Sequence, residues 1–392
     1  MNAQLPQQEK IGIKFLSSPY LPLLMLASIW IIMQAILFYR FGLVTDFEAE
    51  KYIYEANYLL TNGTVSTPNY WLYSVQIFII AAAVKLKTGL YSVAFLQLVF
   101  NAWATYSFYR FIANISNWQT AFTITLLLIV NYPFQTFNTS LQTESLFYSF
   151  TILFSCYLLR LKNLTAGSLI KTILFLLLIS FTRPTGVLLV PCSFLYLFFR
   201  FFRPFSALVK GIITIAVSIG FLFFLNAALG TGGGLDFMLP FRDERIICGV
   251  PTLPGFIEIK TTNNPNSVFG LLYYITHNTG QFLRLALLRS KAFFGLARSY
   301  YSLPHNFYLC IYFYPLYVLV ALSWKSWLKK NKFLLLYCTS VIVINWLTVI
   351  LTCDDWHNRF FLSISPYIYI LTTPIVQKLT GKLKVDGTNQ IA

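Results

Sequence analysis

Repeated apolar runs of about twenty residues dominate the sequence, and this is the length that a helix needs to cross the hydrocarbon core of a bilayer. Of the 392 residues, 57% are hydrophobic and only 11% are charged, and the mean hydropathy is +0.65. A chain of this composition is too hydrophobic to fold as a soluble globule. The runs predict an all-α polytopic membrane protein, because a helix satisfies its own backbone hydrogen bonds within lipid.

Basic residues favour the cytoplasmic ends of spans, and this rule predicts about ten transmembrane helices with both termini inside. The tail with Lys10 and Lys14 then precedes a retained helix, and the first span ends outside. The short apolar segment 70–86 is predicted to dip into the external face, because a crossing there would place Arg110 and Arg160 outside. The ten spans fall near residues 20–41, 89–111, 119–137, 145–161, 168–181, 186–201, 206–229, 306–321, 333–352 and 360–376.

The net charge of +16 does not indicate a nucleic-acid partner. The basic residues stand at the ends of apolar runs and form no aromatic-interleaved patch, so membrane topology accounts for them. The six cysteines are scattered, mostly inside apolar runs, and lack the spacing of metal ligands. They are expected to be free, buried thiols, and no metal or cofactor is predicted.

One polar stretch, residues 42–69, interrupts the apolar pattern. It holds four of the thirteen acidic residues within ten positions, Asp46, Glu48, Glu50 and Glu55. Thr45 and Glu48 have the spacing of a capping box, which predicts a helix at the membrane surface that ends at Asn62 and Gly63. Asp46 would then occupy the first helical position, where the helix dipole favours a carboxylate.

The residues Asp46, Tyr52, Ala56, Leu59 and Gly63, followed by a proline-containing loop and another apolar segment, resemble the first external loop of the GT-C glycosyltransferases. These polytopic enzymes transfer sugars from polyprenyl-phosphate donors, and they include protein O-mannosyltransferases and lipid A aminoarabinose transferases. The resemblance implies that Asp46 is the catalytic carboxylate of a GT-C-like bundle. It implies an N-terminal module 1–228 with a catalytic loop 42–86, an external loop 229–304 with an interfacial amphipathic helix, and C-terminal helices 305–392.

Two later elements are similar to the same family in chain order. Glu144 follows Pro133 by about ten residues and begins an apolar span, as does the supporting acid of the second GT-C external loop. Arg183, in the sequence FTRPTG, ends a span on the external side, where the charge rule disfavours it. An interfacial arginine that reaches lipid phosphates remains an alternative for Arg183.

The last polar cluster is CDDWHNRF, residues 353–360. Asp354, Asp355 and His357 leave a metal site open as an alternative. The resemblance instead implies that Arg359 meets the phosphate of the donor, for which its guanidinium fork is suited. The helical, basic stretch after Val268 is predicted to lie in the interface. Its basic residues either bind the donor or anchor the loop, and they are Arg284, Arg289, Lys291 and Arg298.

The implied activity is a hexosyltransferase-like transfer, with inversion, from a polyprenyl-phosphate sugar to an extracytoplasmic glycan, lipid or protein. Asp46 is the expected general base and Glu144 its catalytic partner. Substrate binding is assigned to Glu48, Tyr52, Arg183, His357 and Arg359. The expected location is a bacterial inner membrane, with membrane lipids around the spans and the site on the extracytoplasmic side. A transporter or flippase without chemistry and an inactive GT-C-like scaffold remain alternatives.

Overall fold

The computed structural model describes residues 21–202, 205–230, 238–250 and 258–388. The amino-terminal tail with Lys10 and Lys14 lies outside these ranges. Every regular element in the described ranges is a helix, which confirms the predicted all-α class. The chain divides into two compact units, with residues up to 187 and from 372 in unit 1, and residues 188–371 in unit 2.

The described residues of unit 1 form eight α-helices before residue 187, and three 3-10 turns connect or follow them at Pro68–Tyr73, Thr136–Thr139 and Pro184–Leu188. The α-helices are α1 (Leu21–Phe41), α2 (Glu48–Asn62), α3 (Ser74–Lys85), α4 (Leu90–Ile115), α5 (Trp118–Val130), α6 (Tyr132–Gln135), α7 (Glu144–Arg160) and α8 (Ala166–Thr182).

Unit 2 begins with α9 and extends into the first part of the last helix, whose residues from 372 onward belong to unit 1. Its helices are α9 (Leu189–Phe201), α10 (Ala207–Gly230), α11 (Leu239–Arg242), α12 (Val268–His277), α13 (Thr279–Gly295), α14 (Leu303–Lys330), α15 (Lys332–Leu351) and α16 (Arg359–Thr388).

Helix α7 forms the centre of unit 1. It packs against α4 along most of its length and also against α8, and nearly all of its residues are buried. A helix that is covered on all sides in this way is a core helix. Its two ends are therefore fixed points of the unit, with Glu144 at one end and Arg160 at the other.

Helix α2 lies on a separate part of the unit 1 core. Ala49, Tyr52 and Ala56 pack against the apolar side of α3 and the start of α4. Gly63 ends the helix with a φ of 74°, in the left-handed region that favours glycine, as predicted. Glu55, one of the clustered acids, is buried and accepts hydrogen bonds from the Ser66 N–H at 2.9 Å and from the Ser66 hydroxyl.

Five helices in the described ranges are long and apolar enough to cross a membrane, or six if the bent pair α5 and α6 with its 3-10 turn counts as one span. The predicted number of about ten is therefore not confirmed. Helices α7 and α8 have 17 residues each, and polar side chains lower the hydropathy of the longer α4. Helix α3 has 12 residues and rises about 18 Å, which is shorter than the hydrocarbon core of a bilayer. The dip of segment 70–86 into the external face stays a prediction.

Candidate functional site

The loop before α2 and the loop before α7 are joined by main-chain hydrogen bonds. The Val44 N–H donates to the Thr139 carbonyl at 2.8 Å, and the Leu141 N–H donates to the Val44 carbonyl at 3.1 Å. Val44 lies two residues before Asp46, and Leu141 lies three residues before Glu144. The structure thus brings together the two loops that carry the predicted catalytic acids.

The predicted capping box at the start of α2 is wrong. The helix begins at Glu48, its N-cap is Phe47 with a φ of 59°, and no side chain caps it. The reason is tertiary, because the pairing of Val44 with the second loop fixes the chain just before Thr45. Asp46 is exposed and lies before the helix, so the helix dipole acts on Glu48, the first helical residue, instead.

Glu144 is fully buried and forms an ion pair with Arg183, whose side chain is 13% exposed. The Thr143 hydroxyl lies 3.4 Å from the second carboxylate oxygen of Glu144. Removing two opposite charges from water is costly, and the loss of either partner leaves an uncompensated buried charge. The sequence singled out Glu144 and Arg183 separately, and the structure shows that they are direct partners. Because only the Arg183 side chain is partly exposed, it is the member of the pair that a ligand can reach.

The turn after Arg183 explains the sequence FTRPTG. The Gly186 N–H donates to the Arg183 carbonyl at 2.8 Å, and the Arg183 N–H donates to the Ile179 carbonyl at 3.1 Å. A Cβ at Gly186 would lie 2.6 Å from the Ile179 carbonyl oxygen, which no side chain tolerates without a shift. Glycine at this position lets the turn close on α8 and hold Arg183 opposite Glu144.

Tyr52 faces the same pair from α2. Burial raises the pKa of its phenol well above the ordinary value, and the charges of Glu144 and Glu48 raise it further. The hydroxyl is therefore protonated at neutral pH and can act as a hydrogen-bond donor. Arg183 acts on the same phenol in the opposite direction. Glu48, Tyr52, Glu144 and Arg183 thus belong to one neighbourhood.

Buried amide side chains hold the second loop in place, and the sequence assignment missed them. Gln76 donates to the Leu141 carbonyl at 2.9 Å, and Gln97 donates to the Gln142 carbonyl at 3.2 Å. Gln34 and Asn138 both bond to the side chain of Gln135, at 3.0 and 2.9 Å. Polar residues inside apolar runs are uncommon in membrane helices, and that signal could have identified them.

The predicted site residues His357 and Arg359 lie together in unit 2, around Asp355. Arg359 is buried and donates to Asp355 at 2.6 Å. The His357 N–H donates to Asp355 at 2.8 Å, and its exposed ring lies against Trp356, with the ring centroids 4.6 Å apart. Arg359 is therefore held by a carboxylate, as Arg183 is in unit 1.

Asp354 is held by Arg298, and this contact was not predicted. Arg298 pairs with the Asp354 carboxylate, and it donates to Asn358 at 2.6 Å and to the Ala292 carbonyl at 2.8 Å. Burial raises the pKa of Asp354 to about 6, and Arg298 opposes this shift. Asp354 and Asp355, the two carboxylates that the metal alternative requires, are paired with Arg298 and Arg359. In the part of the chain that the structure describes, no three His, Cys, Asp or Glu residues form a group that could hold a metal.

The prediction that all cysteines are free thiols is wrong for one pair. Cys248 and Cys353 form a disulfide, and main-chain hydrogen bonds join their loops, from the Cys248 N–H to the Asp354 carbonyl at 2.7 Å and from the Asp354 N–H to the Ile246 carbonyl at 2.9 Å. The two loops are 105 residues apart in sequence, so spacing could not reveal the pair. The other four cysteines form no disulfide, and all but Cys310 are buried.

The basic stretch after Val268 forms two helices, α12 and α13, and its basic residues differ in role. Arg289 is fully buried and donates to the carbonyls of Arg245, Pro240 and Ile350. Arg284 pairs with Glu244, whereas Lys291 is exposed. For Arg289 and Arg298, the structure therefore favours the anchoring alternative over binding of the donor.

Comparisons of the chain with protein-family models, with curated proteins and with solved structures found no match.

Proposed function

We propose that this chain is an integral membrane glycosyltransferase of the GT-C type, which transfers a sugar from a polyprenyl-phosphate donor to a hydroxyl group of a glycan, lipid or protein. One observation carries the proposal. The loops that bear Asp46 and Glu144 are paired through Val44, next to a buried carboxylate–guanidinium pair whose arginine remains partly exposed. Carboxylates and an accessible arginine in one place are the groups that such a transfer requires.

Asp46 is the proposed general base. Its side chain is exposed, and its carbonyl accepts a hydrogen bond from the Ala49 N–H at 3.2 Å, which fixes the backbone at the start of α2. The acceptor oxygen forms a bond to the anomeric carbon while its proton passes to the carboxylate. The bond from that carbon to the phosphate oxygen breaks, so the anomeric centre is inverted.

Arg183 is the proposed partner of the leaving phosphate. The polyprenyl phosphate gains negative charge as it departs, and a preorganised guanidinium stabilises that charge without reorganisation. The fully buried Glu144 orients the guanidinium, and the protonated Tyr52 hydroxyl offers a further donor. Arginines can carry the charge of a monophosphate, so no divalent ion is invoked. The roles of His357 and Arg359 toward the donor remain predictions from the resemblance.

The test measures sugar transfer in purified membranes that contain the protein, with a panel of radiolabelled polyprenyl-phosphate sugars as donors and cell-envelope components as acceptors. Asp46→Asn is compared with Glu50→Gln, which removes an exposed carboxylate from the adjacent helix. We expect Asp46→Asn to lower transfer by about 10²–10⁴-fold and Glu50→Gln to leave it near the wild-type rate.

Three other outcomes would change the assignment. Transfer that persists in a folded Asp46→Asn protein would move the base to Glu48. Equal losses in both variants would indicate a general effect of negative charge near the start of α2. If the wild-type protein transferred no sugar from any donor, the transporter or inactive-scaffold alternatives would replace the proposal.

A further inference from the structure

The described acidic side chains of unit 1 lie either in residues 46–55 or at Glu144, the first residue of α7. These side chains are those of Asp46, Glu48, Glu50, Glu55 and Glu144; the side chain of Asp386 is not among the described ones, and the sequence contains no Asp or Glu from 145 to 235. Glu144 begins α7 and Arg160 ends it, which places them about 24 Å apart along the helix axis. The charged side chains that the structure describes at the Arg160 end are therefore positive.

A groove of about 380 Å³ opens at that end, between α4, α7 and α8. We call it the basic groove, and its main lining residues are Trp103, Tyr157, Arg160, Lys162, Lys171 and Phe175. The three cations are exposed, and Trp103 is 54% exposed. In the described part of the chain, none of the three has a carboxylate within 4.0 Å.

Contacts within the basic groove preorganise two of its cations. The Lys171 ammonium lies 4.7 Å from the centroid of the Tyr157 ring, and Tyr157 donates to the Ser168 carbonyl at 3.0 Å. Tyr157 also stacks on Phe175, with the ring centroids 5.7 Å apart. Arg160 donates to the Ser107 carbonyl at 3.0 Å. Charged heads are thus held at the mouth of a groove whose walls are aromatic and aliphatic.

We propose that the basic groove binds an anionic phospholipid, with the headgroup phosphate among Arg160, Lys162 and Lys171 and an acyl chain along Trp103, Leu153 and Phe175. Cationic pockets between transmembrane helices recognise acidic headgroups, and aromatic rings favour the membrane interface. The composition of the groove wall supports a lipid over a soluble anion, because most of the wall is apolar. The site is separated from Glu144 by the length of α7 and is independent of the proposed transferase activity.

The test is native mass spectrometry of the full-length protein in detergent, titrated with phosphatidylglycerol or with phosphatidylcholine of the same acyl chains. The groove variant is Lys162→Gln with Lys171→Gln, which leaves Arg160 and its contact with α4 intact. The matched control is Lys85→Gln with Lys87→Gln, which removes two exposed cations of unit 1 outside the groove.

We expect the wild type to bind one phosphatidylglycerol in preference to phosphatidylcholine. The groove variant should bind it about thirtyfold more weakly, while the control stays within about twofold of the wild type. Equal weakening in both variants would show an effect of net charge and would overturn the proposal, as would unchanged affinity in the groove variant. Displacement of the lipid by inorganic phosphate at similar concentrations would identify a small-anion site instead.

Discussion

The ion pair of unit 1 and the ion pairs of unit 2 use the same residue types in different surroundings. The side chain of Arg298 is 4% exposed and donates to Ala292 of α13 and to Asp354 and Asn358, which lie in the loop after Cys353 that the disulfide joins to Cys248. Arg183 is 13% exposed and lies beside a buried tyrosine and a turn that requires glycine. An arginine that is enclosed by acceptors stabilises loops, whereas one that remains accessible can serve a ligand.

The largest expected effect is on the enclosed pair. Arg298→Ala leaves the Asp354 carboxylate buried without its cation, so we expect the free energy of unfolding to fall by about 3–5 kcal/mol. Thermal unfolding in detergent measures this loss. Sugar transfer per folded molecule should stay at the wild-type level. If Arg298→Ala had the unfolding temperature of the wild type but transferred no sugar, Arg298 would belong to the site. The contrast between a structural arginine in unit 2 and an accessible arginine in unit 1 would then be wrong.

The disulfide is the second test of the comparison. Replacing both Cys248 and Cys353 with serine removes a cross-link between residues 105 positions apart. We expect the free energy of unfolding to fall by about 2–4 kcal/mol. Chemical reduction of the wild type should lower its unfolding temperature in the same way. The double-serine variant should not respond to reductant, whereas Cys156→Ser, which keeps the disulfide, should respond as the wild type does. If reduction leaves the wild type unchanged, the loops of unit 2 are held by other contacts.

Changes to the accessible pair, Arg183 and Glu144, should lower the rate of sugar transfer more than they lower stability. Arg183→Lys keeps the positive charge opposite Glu144 but loses the planar fork, so we expect transfer to fall by about 100-fold while the unfolding temperature stays close to that of the wild type. Sugar transfer and thermal unfolding are measured on the same preparation. A normal transfer rate in the lysine variant would reduce Arg183 to a structural or lipid-facing cation.

The smallest expected effect is a pH dependence in unit 2. The pKa of Asp354 rises from 3.8 to about 6 on folding. A raised pKa means that this group contributes stability fully below pH 3.8, and the contribution is lost as the pH rises through about 6. We therefore expect the unfolding temperature to fall less steeply from about pH 4 to about pH 6 in Asp354→Asn than in the wild type. Equal slopes would show that Arg298 cancels the effect of burial.

Some parts of the site could be read from the sequence because they depend on short-range rules. Asn62 and Gly63 predicted the end of α2, since a glycine in the left-handed region is a local requirement. Arg183 attracted attention as a cation in a place that the charge rule disfavours. Its partner Glu144 was named for a separate reason, and nothing in the sequence could pair two residues 39 positions apart.

Other predictions failed where a distant segment overrides a local preference. The spacing of Thr45 and Glu48 permits a capping box, but Val44 pairs with Thr139, and α2 starts after Phe47 instead. The even choice between donor binding and anchoring for Arg289 was decided only by its burial and its three carbonyl acceptors.

The sequence by itself determined that this chain is helical and apolar enough to occupy a membrane, because hydrophobic run length and backbone satisfaction in lipid leave few alternatives. It also marked the charged residues that such a chain carries at a cost. Only the tertiary structure decided which carboxylate each arginine meets, which two cysteines are joined, and that the cations of α7 and α8 line one groove. Those outcomes depend on contacts between residues far apart in the chain, and folding alone brings them together.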